Sequence, residues 1–383
     1  MSTKVGAGLS TETDPRAAAV GAALEARAGL GDDRASVAIV FASPHYADAA
    51  DAIVDAVQEA VGPAALIGCV AEAVVAGGSE VERSPSIAVW LAALREPVEA
   101  FALDFGEGTF QGWPETTTGA WIVLADPFSF PADLFLEQVN RTRPGVAVTG
   151  GLASGGMGPG QTRLFIDKEV VTGGAVGVTI GDAAEVVTFV SQGCRPIGAP
   201  LTVTGARENL IVELGGRPPV ERIRELFATL EERDRRLVSQ GLLVGRVIDE
   251  HKSAFERGDF LVRGLIGADP DTGSIAVGDR VAVGETVQFH VRDAASADED
   301  LRATLASAQR ALAGRAACGG LLFTCNGRGS RLFGVADHDA GLVTEELGGI
   351  PLAGFFCAGE IGPVGERNFL HGFTASLALF VRD

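Results

Sequence analysis

The segment from Cys318 to Ser376 holds three of the chain's five cysteines and two of its five histidines. It also holds two polar residues set among glycines, Arg328 in CNGRG and Glu360 in GEIGP. Each follows an apolar run, the position at which an α/β sheet presents groups to a ligand. A guanidinium binds a carboxylate through two parallel hydrogen bonds, and Gly327 and Gly329 let the backbone approach closely. A carboxylate at Glu360 can hold an ammonium or guanidinium group, or act as a general base. One cation and one anion at neighbouring strand ends suit the two ends of a free amino acid. The same two side chains can instead pair with each other and tie their loops together, and Glu360 can cap amides of its own turn. Asn326 both donates and accepts, which fits either ligand orientation or a left-handed turn.

A second polar loop, GGLASGG, contains Gly151, Ser154 and Gly155. Its backbone N–H groups can cradle an anion, or the loop can be a tight turn with close packing. It lacks G-x-G-x-x-G, the chain has no G-K-[ST], and Leu152 breaks G-x-S-x-G, so nucleotide and serine-hydrolase readings fail. Arg195, in Gly193-Cys194-Arg195-Pro196, reads as a ligand contact or an ion pair. Cys325 and Cys357 end strands and read as packing residues. A thiol nucleophile would need a base, and His338 and His371 are the nearest in sequence. A hydrolase- or lyase-type enzyme using Cys325 or Glu360 is therefore the alternative to ligand binding, with an interaction scaffold third. The chain has no C-x-x-C, H-x-x-H or H-E-x-x-H, so neither a metal nor another cofactor is expected.

Alternating apolar runs and amphipathic segments must position these groups. The pattern predicts a helix over 15–28, with Asp14 as cap and Pro15 at its first position. It then predicts strand 36–42, helix 46–61, and strands 65–70 and 86–92. The order recurs as strand 119–125, helix 132–140, and strands 146–152 and 174–180. It recurs again as strand 319–324, helix 340–347, and strands 351–357 and 374–381. Three repeated strand-helix-strand units are thus expected, with Cys69 near Phe356 or Cys357 and Glu72 near Glu360. Between the second and third units, strands over 184–189, 201–204, 209–213, 242–248, 259–266 and 286–291 accompany helices over 219–238 and 298–313. The fold class is α/β, with mixed sheets flanked by helices and a layered αββα arrangement as one way to stack them.

Composition limits the partners. Fifty acidic against 31 basic residues give a net charge of −19, which disfavours nucleic acid and anionic membrane. With 46% hydrophobic residues over 383 positions the chain can bury a sizeable core. The N-terminus has no apolar h-region and no run reaches the length of a membrane span, so a cytoplasmic location is expected, with reduced cysteines.

Taken together, GLSTETDPRAAA, VFASPHY, LIGC, GGLASGG, GAVGV and SQGCRPIGAPLTVT in the first half, then CNGRG, PLAGFFCAGEIGP and FTAS, resemble the FIST family. The resemblance covers nearly the whole chain. It implies an N-terminal FIST-type domain over 1–215 and a C-terminal one over 216–383. It also implies a sensory module for a small ligand, with amino acids the proposed class, acting with a separate signalling output protein.

Overall fold

Strands covered on both faces read as continuous apolar runs instead of alternating ones. Val37–Ala42, Ala65–Val70 and Ala120–Ala125 are of this kind, buried at every position in the computed structural model, which describes residues 2–382. Three repeats of one topology are built from such strands. In each, a central strand runs parallel to the next strand and antiparallel to the last. In repeat 1 these are Val37–Ala42, Ala65–Val70 and Ile87–Ala93. In repeat 2 they are Ala120–Ala125, Ala147–Leu152 and Ala175–Gly181. In repeat 3 they are Ala317–Cys325, Leu352–Cys357 and Thr374–Val381. A parallel pair needs a long crossover, and the helices Ala50–Val61, Ala132–Thr142 and His338–Glu346 supply it.

After its parallel strand, each repeat sends out a hairpin that completes another repeat's sheet. Val74–Ala76 and Ser79–Val81 of repeat 1 add to Leu352–Cys357 of repeat 3. Gly359–Val364 and Arg367–His371 of repeat 3 add to Ala147–Leu152 of repeat 2. Leu164–Ile166 and Glu169–Val171 of repeat 2 add to Ala65–Val70 of repeat 1. The exchange is cyclic, so no repeat can complete its sheet alone.

One core is common to the inner faces of all three sheets. Ile39 and Phe41, Ile122 and Leu124, and Leu321 and Phe323 enter it from the three central strands. The outer faces carry helices: Pro15–Ala28 and Ala50–Val61 on the first sheet, Ala132–Thr142 on the second, and Ala294–Ala311 with His338–Glu346 on the third. The chain is thus α/β, with repeated units in mixed sheets flanked by helices. Three sheets share the core, so the layered expectation becomes three-sided.

Close approach of the two parallel strands selects one residue type three times. Gly68, Gly150 and Gly354 are the register partners of Val40, Val123 and Leu322. A Cβ there would lie 2.2, 1.9 and 1.7 Å from those partners' carbonyl oxygens. Aligning the repeats on these glycines places Cys69 with Phe355, and Val74 with Glu360. This corrects the sequence register by one to two residues, and Glu72 is not the counterpart of Glu360.

Residues 191–300 form a second compact unit, inserted between Val186–Gln192 and the central strand of repeat 3. At the corresponding place repeat 1 has only the helix Pro15–Ala28. The inserted unit is a closed barrel of strands Cys194–Arg207, Leu210–Leu214, Ile275–Val277, Phe260–Ala268, Leu242–Val247 and Thr286–Arg292. Val203, Ile211, Ile275, Phe289 and Val291 fill it. The helix expected over 219–238 is two, Pro219–Thr229 and Glu232–Gln240, because Leu230 is extended at ψ 147°. The sequence division at 215/216 falls inside this compact unit. No helix among the described residues is long and apolar enough to cross a membrane.

Candidate functional site

Strand Ala317–Cys325 ends in a tight turn that sends the Arg328 side chain inward. The Arg328 amide donates to the Cys325 carbonyl at 2.8 Å, and the Asn326 amide donates to the Cys357 carbonyl at 2.9 Å. Gly329 permits the turn: its φ is 60°, and a Cβ there would lie 2.7 Å from the Phe356 ring. Arg328 is fully buried as a result.

The guanidinium is held by a carboxylate that sequence reasoning missed. Nε and Nη2 of Arg328 donate to Oδ2 and Oδ1 of Asp339 at 2.6 and 2.9 Å. Thr324 Oγ1 donates to the same Oδ2 at 2.9 Å, and His338 Nδ1 lies 3.0 Å from Oδ1. His338 stacks on Phe333, and the guanidinium sits over that ring at 5.2 Å. Burial works against the Asp339 carboxylate, but Arg328 and then His338 outweigh it and hold its pKa below the usual range. Burial also works against the Arg328 charge; Asp339 outweighs that and raises its pKa. The expected alternative of an Arg328–Glu360 pair is therefore replaced by Arg328–Asp339.

The hairpin exchanged from repeat 1 adds a second acid. Glu80 Oε1 accepts the amides of Asp339 and Ala340 at 3.0 and 2.9 Å, in the first turn of His338–Glu346. A carboxylate is favoured there by unpaired N–H groups and by the helix dipole. Burial nonetheless lifts the Glu80 pKa to about 7, with the Asp339 charge adding and the two amides opposing. Next to it, the Glu82 carboxylate accepts the amide and hydroxyl of Ser330, both at 2.8 Å.

Glu360 is fully buried, and its Oε2 accepts the amide and hydroxyl of Thr374 at 3.0 and 2.8 Å. It caps the start of strand Thr374–Val381. It lies in register with Gly151 on one side and His371 on the other. Its charge acts on both Arg328 and Cys357.

Gly151 and Ser154 lie against the end of Leu352–Cys357, and Gly155 against the end of Ala65–Val70. A Cβ on Gly151 would lie 2.5 Å from Cys357 Sγ. Ser154 Oγ donates to the Phe356 carbonyl and accepts the Glu72 amide at 2.8 Å. The Gly155 amide donates to the Val70 carbonyl at 3.1 Å. Arg195 lies elsewhere, within the inserted unit, paired with Asp293 at 2.9 Å and with Asp234. Asp339 had a weak sequence signal, as one of the two acids in Asp337-His338-Asp339 just before an apolar helical run. Glu80 had none, because it arrives from another repeat. No group of three or more His, Cys, Asp or Glu among the described residues is placed to hold a metal ion.

Two polar atoms of the turn stand out. Arg328 Nη1 and Asn326 Oδ1 are buried and have no hydrogen-bond partner among the described residues. A buried polar group left unmatched costs about 1–3 kcal/mol, so a donor and an acceptor two residues apart in one turn call for an explanation.

The FIST N domain model matches residues 36–217, and the FIST C domain model matches residues 219–363. The chain is 52% identical over 386 residues to "Uncharacterized protein Mb0898c" of Mycobacterium bovis, covering 99% of each. It is also 52% identical over 384 residues to "Uncharacterized protein Rv0628c" of Mycobacterium tuberculosis, covering 99% of this chain and 100% of that one.

Proposed function

Because the chain belongs to the FIST family, we propose that it is a cytoplasmic sensory protein that binds a small ligand and passes its state to a separate signalling protein. The ligand class we propose is an amino acid or related small zwitterion. The observation that carries this reading is the pair of unmatched buried atoms, Arg328 Nη1 and Asn326 Oδ1. Nη1 offers donors to a carboxylate or carbonyl oxygen. Oδ1 offers an acceptor to an ammonium or hydroxyl group. Gly151, Ser154, Gly155 and Glu360 would complete the surroundings, with Glu360 supplying the negative charge for a cationic end. Asp339 already holds the Nε/Nη2 edge of the guanidinium, so Arg328 would contact the ligand through Nη1.

The test is calorimetry with a panel of the standard amino acids, on the full chain and on Asn326→Ala. The reading expects one or a few members to bind, with affinity at least about tenfold weaker in the variant, as loss of one hydrogen bond to a charged group predicts. Binding by no member would remove the amino-acid class. Binding that Asn326→Ala leaves unchanged would move the site elsewhere.

A further inference from the structure

Three of the chain's thiols meet at one end of the shared core. Cys325 and Cys357 are register partners on adjacent parallel strands. Cys69 and Cys357 belong to the apolar core common to the three sheets. Alternation from Leu321 and Phe323 carries Cys325 to that same face, and each of the other two thiols acts electrostatically on Cys357. Cys357 is fully buried, whereas Cys325 is half-buried at the strand's end.

The surroundings of Cys325 differ from those of an inert core thiol. The Gly327 amide donates to Cys325 Sγ at 3.5 Å. The buried Arg328 guanidinium interacts electrostatically with the same sulfur. Cation proximity, an amide donor and partial exposure are the features of a thiol that reacts. Neighbouring strands lie about 4.8 Å apart, within the roughly 4.4–6.8 Å between Cα atoms that a disulfide spans.

We propose that Cys325 is a site of oxidation by hydroperoxides, with Cys357 as its resolving thiol. The Cys325 thiolate attacks one peroxide oxygen. An S–O bond forms, the O–O bond breaks, and the departing hydroxide or alkoxide takes up a proton. Sulfur is oxidised by two electrons to the sulfenic acid, and the peroxide is reduced by two. The Cys357 sulfur then attacks the Cys325 sulfur, forming the S–S bond and releasing water with the thiol proton. Burial first, and then Glu360 and the other two thiols, hold the Cys357 pKa well above the ordinary thiol value. Resolution is therefore the slower step, and the sulfenic acid persists long enough to trap. Because the Asn326 amide bonds to the Cys357 carbonyl, the new bond would form directly beneath the CNGRG turn.

The experiment is peroxide treatment of the reduced full chain, followed by thiol blocking and non-reducing peptide mapping with chymotrypsin. That enzyme can cut at Phe323, between Cys318 and Cys325. In the unaltered protein the expected product is a Cys325–Cys357 linked peptide. Dimedone present during short exposures should label Cys325, and Cys357→Ala should turn that transient adduct into the main product. The proposal is overturned if Cys325 remains fully alkylatable after peroxide. It is equally overturned if Cys69 and Cys357 are linked while Cys325 stays reduced. Both decisive readouts come from the unaltered protein, so failure of the variant to fold would not shield the idea.

Discussion

Glu80 and Asp339 are 259 residues apart in sequence, yet Glu80 Oε1 accepts the Asp339 amide at 3.0 Å. The contact exists because the hairpin of repeat 1 completes the sheet of repeat 3. It places a buried carboxylate at the first turn of the helix whose Asp339 side chain holds Arg328. The exchanged hairpin and the Arg328 turn are therefore one polar network, and a change at either end is felt at the other.

This network makes stability depend on pH. The Glu80 pKa rises from 4.5 to about 7 on folding. Between those values the folded chain holds a proton that the unfolded chain has released. The contribution of Glu80 is therefore full below about pH 4.5 and is lost as pH rises through about 7. The shift sets a ceiling of about 3 kcal/mol. Glu80→Gln keeps an acceptor for the two amides and removes the proton. Between about pH 4 and about pH 8, which bracket the shift, its melting temperature should fall less than that of the parent. Parallel curves for the two proteins would refute the assignment.

Asp339→Ala strands a buried guanidinium. Loss of one partner of a buried ion pair costs about 3–5 kcal/mol, so the variant should unfold at clearly lower urea. Replacing both residues with apolar ones, as Arg328→Met with Asp339→Leu, should restore much of that loss. A double-mutant cycle with no coupling would show that the pair is not formed.

The glycine trio is open to a graded test. An alanine Cβ at Gly354 would sit 1.7 Å from the Leu322 carbonyl oxygen, and at Gly68 2.2 Å from that of Val40. Both substitutions should destabilise by about 3 kcal/mol or prevent folding, the upper end of overpacking costs. Gly77→Ala meets nothing within 4 Å and carries only the strain of a φ of 56°. It should cost about 1 kcal/mol. Equal losses at all three positions would contradict the close strand approach.

The inserted barrel has its own closed set of strands and its own core. A fragment of residues 191–300 should give a β-rich circular dichroism spectrum and a cooperative thermal transition. A random-coil spectrum would mean that the barrel needs the rest of the chain to fold.

Much of the fold was readable because central strands announce themselves. VAIVFA and AWIVLA are apolar throughout, since both faces are covered, and their crossover helices show apolar faces at helical spacing. The short hairpins were not readable as partners. Val74–Ala76 has three apolar residues, which specify a buried strand but not which sheet it joins. The sequence pattern of the long strand Cys194–Arg207 shows only 201–204 as extended, because Pro196 and Pro200 interrupt it. Those prolines sit in a strand whose register with Thr286–Arg292 shifts between Ile197 and Leu201.

At the candidate site the division is sharper. Sequence determined which chemical groups were on hand: a guanidinium and an amide in CNGRG, a carboxylate in GEIGP, and thiols at two strand ends. Those identities follow from residue type and from apolar runs that fix where a strand stops. Only the tertiary structure decided the pairing. Arg328 took Asp339, Glu360 took Thr374, and Glu80 arrived from a distant repeat. The physical reason is that a buried charge must find a partner wherever the packed chain brings one within hydrogen-bond reach. For Glu80 that reach was set by the cyclic exchange of hairpins, a long-range arrangement on which local propensity is silent.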